Sequence, residues 1–75
     1  MEDNNNNPEP IYTLIYDDNY SANLYGEMNA DNETVTDAEL IIQRKDPIYI
    51  FTYLVSGTIS EVDVYARQLI TELQN

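Results

Sequence analysis

Hydrophobic and polar positions divide the chain into a polar leader, a run of strand-like segments and one helix-like segment. Residues 1–9 contain four consecutive Asn, three acids and no periodic apolar position. They read as a disordered acidic tail, because nothing in them offsets the entropy of ordering. Residues 10–75 read as a single small domain. Its first element is Ile11-Tyr12-Thr13-Leu14-Ile15-Tyr16, a β-branched and aromatic run that reads as a strand. Asp17-Asp18-Asn19 carries turn chemistry, since such side chains hydrogen-bond their own backbone. Ala22 to Met28 reads as a second strand and Asn29 to Glu33 as a polar loop.

Thr34 to Lys45 is compatible with two structures. As a helix, Thr36 would be its N-cap, Glu39 would complete a capping box, and Val35 and Leu40 would form a hydrophobic staple. As a strand, Leu40 to Arg44 would form a hairpin with the run Ile48 to Val55 across Asp46-Pro47. Adjacent Ile41 and Ile42 suit a short helix poorly, which favours the strand. Ile48 to Val55 is apolar on both faces, with Ile48, Ile50 and Leu54 on one and Tyr49, Phe51, Tyr53 and Val55 on the other. That pattern predicts a central strand covered twice.

After Gly57, Thr58 or Ser60 is placed to cap a helix, with Glu61 or Asp63 three residues on. Val62, Ala66, Leu69 and Leu73 then recur at helical spacing, joined by Tyr65 and Ile70. The predicted fold is a small α+β domain: a four-stranded antiparallel sheet followed by one C-terminal helix. One helix covers one face of such a sheet, leaving open what covers the other.

Composition narrows the chemistry. The 75 residues include no Cys, His or Trp, which removes disulfide frameworks, Cys/His zinc sites and thiol or imidazole nucleophiles. Fourteen acids against three basic residues give a net charge of -11, which disfavours direct contact with a nucleic-acid backbone or an anionic membrane surface. Met1 to Asn7 has neither a basic region nor an apolar run, so a cytoplasmic location is expected. A calcium loop beginning Asp17, Asn19, Ser21 fails, with Ala22 where Gly is needed and Met28 where Glu is needed. With only Gly26 and Gly57 there is no phosphate-cradling loop. No cofactor, metal or enzymatic activity is expected.

The acid is uneven. Ten carboxylates and no basic residue precede Leu40, whereas the remainder holds four carboxylates with Arg44, Lys45 and Arg67. This points to a non-catalytic protein that occupies a basic site on a partner protein. In its sharpest form it is a nucleic-acid-mimicking inhibitor of a nucleic-acid-processing enzyme, of the kind a virus or mobile element encodes. Asp17, Asp18, Glu27, Asp31, Glu33, Asp37 and Glu39 would stand in for phosphates, and Tyr20 and Tyr25 would supply stacking or apolar contact. That reading requires the acids to gather on one face. The alternative is a small regulatory or assembly subunit that binds through an apolar sheet face, as a homodimer or with another partner, with Tyr49, Phe51 and Tyr53 as its contact.

Overall fold

The chain folds as an antiparallel meander closed by a helix, and the computed structural model describes residues 9–75. Strand β1 (Tyr12–Ile15), β2 (Tyr20–Tyr25), β3 (Thr34–Lys45) and β4 (Ile48–Thr58) lie side by side in chain order, and helix α1 (Ile59–Leu73) follows β4 directly. The predicted acidic tail lies outside the described residues except for Glu9. Residues 34–45 are strand throughout, so the capping box centred on Thr36 does not form. A bulge replaces it: pairing shifts between Val35 and Ala38, and Asp37 takes a positive φ of 50°.

Strand alternation decides what is buried. Leu14, Tyr20, Ala22, Leu24, Ala38, Leu40, Ile42 and Val55 project to one face, where Val62, Ala66 and Ile70 of α1 meet them and complete the core with Val35. The register stacks this core in rows, with Leu24 opposite Leu40 and Ala22 opposite both Leu14 and Ile42. Thr58 caps the helix: its hydroxyl accepts the Glu61 amide at 3.1 Å, while the Glu61 carboxylate accepts the Thr58 amide at 2.8 Å. Gly57 makes the corner possible. It sits at φ 131°, and a Cβ there would lie 2.6 Å from the Glu61 carboxylate that closes the box.

Two expectations are corrected. The run from Ile48 is an edge strand with one covered face, not a central strand covered twice. Its apolar residues on the second face are exposed, so two-sided hydrophobicity here does not signal two-sided burial. The second strand begins at Tyr20 and ends at Tyr25, two residues earlier at its start than the predicted Ala22 and three earlier at its end than Met28. Asp17 sets that start, its Oδ1 accepting the amides of Asn19 and Tyr20 at 2.8 Å each.

Leu40→Ala is expected to lower the unfolding free energy by about 3 kcal/mol through lost burial and the cavity left behind. Thr58→Ala removes the cap and should cost about 1 kcal/mol. Val64→Ala, on the exposed side of α1, should stay within about 0.5 kcal/mol of the parent. Urea denaturation of the three variants beside the parent checks this ranking.

Candidate functional site

Consecutive hairpins put the two ends of the sheet in different chemical company. The β1–β2 and β3–β4 turns share one end, where Asn19 clasps Asp46. Its side-chain oxygen accepts the Asp46 amide at 2.9 Å and its side-chain NH₂ donates to the Asp46 carbonyl at 3.2 Å. The β2–β3 loop and the start of α1 occupy the other end.

The candidate acids divide accordingly. Asp17 and Asp18 lie at the turn end, while Glu27, Asp31 and Glu33 lie in the β2–β3 loop, roughly 17 Å away along β2. Asp37 sits in the bulge, and Glu39 stands on the sheet face that α1 does not cover, in register with Tyr25 and Leu54. The seven therefore form two separate groups and a line along β3. None pairs with a cation: among the described residues the one ion pair joins Asp63 to Arg67 at 2.9 Å. Arg44 instead donates to the Pro47 carbonyl at 2.8 Å and lies 5.8 and 5.7 Å from the Tyr49 and Phe51 ring centres.

Several of these acids organise backbone. Asp17 caps its turn and also accepts from the Gln74 side chain at 3.1 Å. Asp31 accepts the Glu33 and Thr34 amides at 2.9 and 3.0 Å and the Thr34 hydroxyl at 2.9 Å. These bonds, the Glu33 amide first, hold the Asp31 carboxyl below its ordinary value of 3.8.

The tyrosines separate too. Tyr20, expected at a partner surface, is only 6% exposed; it shares the parity of Ala22 and Leu24 and belongs to the core. Tyr25 is half-buried on the uncovered face. Tyr12 and Tyr16 tie β1 to α1, through hydrogen bonds to Asp63 and to Thr71 respectively. Phe51 and Tyr53 lie on the helix side, partly buried against the core, and Tyr53 meets Tyr65 edge-on at 6.5 Å. Tyr49, further from the helix start, is 55% exposed.

What the sequence reading missed on β4 is which face is open: Tyr49, Phe51 and Tyr53, named as the contact, lie on the helix side of the strand. Its face away from α1 carries Ile48, Ile50 and Leu54 at 75, 55 and 68% exposure, beside Ile41 of β3. Its ladder partner is β3 alone, so its outer edge is bare among the described residues. A groove runs along that edge between strand and helix, lined by Leu54, Val55, Ser56, Glu61, Val62 and Tyr65. The strand contains no charged residue. That lack of charge was legible in the sequence, as an eleven-residue stretch in a strongly acidic chain.

Among the described residues no group of three or more His, Cys, Asp or Glu is placed to hold a metal, and no helix is long and apolar enough to cross a membrane. Comparison with family models, with curated proteins and with solved structures finds no match.

Because the folded carboxyl of Asp31 titrates below the unfolded one, its bonds contribute stability above about pH 3.8 that is lost as pH falls through the folded value. Asp31→Asn removes that titration. The melting-temperature difference between parent and variant should be constant at neutral pH and shrink below pH 4, which a pH series of thermal melts checks.

Proposed function

We propose that the protein is a non-catalytic contact module, a small adaptor or assembly subunit that binds through β4. The observation that carries this reading is a long, uncharged edge strand whose outward hydrogen-bonding groups are unpaired among the described residues and whose open face is apolar. Folded proteins ordinarily protect such an edge with charge, proline, brevity or a cover, because it is a template for another strand. The opposite edge, β1, is protected by brevity: it has four residues and begins two positions after Pro10. On β4 the flanking Pro47 precedes the strand, and eleven residues follow it without interruption by charge.

A second reading rests on the β2–β3 loop, where Glu27, Asp31 and Glu33 have no cationic partner among the described residues. That group suits a basic surface on another protein, including the nucleic-acid-binding site of an enzyme. Close imitation of DNA asks for more: a duplex as long as a domain of this size carries about 17 phosphate charges, with perhaps half on one face. Three loop carboxylates fall short of that density unless the acids of β3 join them at the contact.

Salt and substitution separate the two readings. Capture of partners from the native host by the immobilised protein should persist as salt rises from about 50 to 300 mM if β4 makes the contact. It should also survive combined Glu27→Gln, Asp31→Asn and Glu33→Gln and fail on Ile50→Lys. The opposite pattern would assign binding to the loop acids and displace β4.

A further inference from the structure

We infer that the occupant of the β4 edge is a second copy of this chain, added antiparallel about a two-fold axis at Thr52 to make one continuous eight-stranded sheet. The inference rests on the reading of β4 as the contact strand and adds the identity and register of the partner.

Self-pairing of β4 is unusually well matched. Centring the axis on Thr52 sets Thr52 opposite its own counterpart, Ile50 opposite the copy's Leu54, Phe51 opposite its Tyr53 and Tyr49 opposite its Val55. Each pair shares a face, because residues facing each other across the axis are an even number of positions apart. On the open face Ile50 thus meets Leu54, while Ile48 meets Ser56 at either end of the overlap, and aromatic or branched residues meet on the helix side. Registers one residue away fit less well. With the axis at Phe51, Leu54 would still face Ile48, but Ile50 would face Thr52, the overlap would shorten to residues 48–54, and Tyr49 would face Tyr53 instead of Val55. With the axis at Tyr53, Ile50 would face Ser56 and Tyr49 would face Gly57.

The groove supplies a second, independent fit. In this arrangement the exposed Tyr49 of each copy comes alongside the other's Val55, at the hollow bounded by Val62 and Tyr65. The ring least covered within one protomer therefore lies where the other has space.

Charge permits the union. Each chain carries -11, so two copies repel, yet no charged residue of β4 meets its counterpart. Residues 48–56 overlap in this register, giving a contact strip about 31 Å long. With side chains on both faces it buries on the order of 1,000 Å² over two copies, near the lower bound for a specific interface. Such a dimer is concentration-dependent, and salt strengthens it by screening the mutual repulsion.

Analytical ultracentrifugation of the full chain over a concentration series, at low and moderate salt, tests this. The expected result is reversible dimerisation of the 8.7 kDa chain, tighter at the higher salt. Ile50→Lys alone and Leu54→Glu alone should each weaken the dimer about tenfold or more. Combining both in one chain should restore it substantially, because the register places the introduced lysine against the introduced glutamate of the copy. Circular dichroism melts confirm that the variants fold, as expected for side chains exposed in the protomer. A parent chain that stays monomeric to about 1 mM would overturn the inference. So would a dimer indifferent to both single substitutions, or a double variant no better than either one. A monomeric parent whose capture of another host protein still fails on Ile50→Lys would reject self-pairing while retaining β4 as the contact. Loss of capture only on neutralising the loop acids would reject the β4 reading itself.

Discussion

One helix has to serve four strands, and most of the molecule's character follows from that mismatch. A helix with its side chains is about 10–12 Å across, whereas four strands at roughly 4.8 Å spacing present a wider sheet. Val62, Ala66 and Ile70 fill the centre of the covered face, and Tyr12 of β1 with Tyr16 just after it reach up to one flank of α1. On the other flank, burial falls along β4 from Val55, through partly covered Tyr53 and Phe51, to exposed Tyr49. The second face has no cover among the described residues. A small domain without disulfides thus retains apolar surface on a strand that is also an edge, and association is the physical remedy open to it.

The acidic excess acts locally as well as globally. Asp17, Asp31 and Glu61 accept backbone amides at a hairpin turn, a loop and a helix start, so carboxylates stabilise three separate changes of chain direction. Glu39 and Lys45 lie six residues apart on β3, on the face away from α1, and that face is far closer to electrical neutrality than the chain as a whole. Net charge therefore governs how molecules approach one another, and in the contact proposed above the apolar strand is what would hold them together.

The elements were legible because their local chemistry agrees with their place in the fold. β-branched and aromatic runs gave β1 and β4, Thr58 with Glu61 marked the helix start, and Ile41-Ile42 tipped an ambiguous segment towards strand. The failures have one origin. Alternation reports which faces are apolar but not what covers them, so β4 looked central although its two faces are apolar for different reasons: one meets the core and the other is open. Tyr20 was misplaced because Asp17 draws the strand start back beside the turn, giving that ring the parity of the core. The distribution of the acids depends on which ends of the strands fall together, and the bulge at Thr36-Asp37 on a register shift. Neither property is encoded in any short window of residues.

The meander order carries a kinetic meaning. Each strand pairs with its neighbour in the chain, so the sheet is assembled from short loops that close readily. The bonds that seat the helix against the β1 side span 51, 55 and 57 residues, from Tyr12 to Asp63, Tyr16 to Thr71 and Asp17 to Gln74. Those are the closures that cost the most loop entropy, and without them the sheet displays apolar side chains on both faces. A chain whose helix is not yet seated is therefore at its most adhesive, and its strong negative charge then keeps neighbouring chains apart.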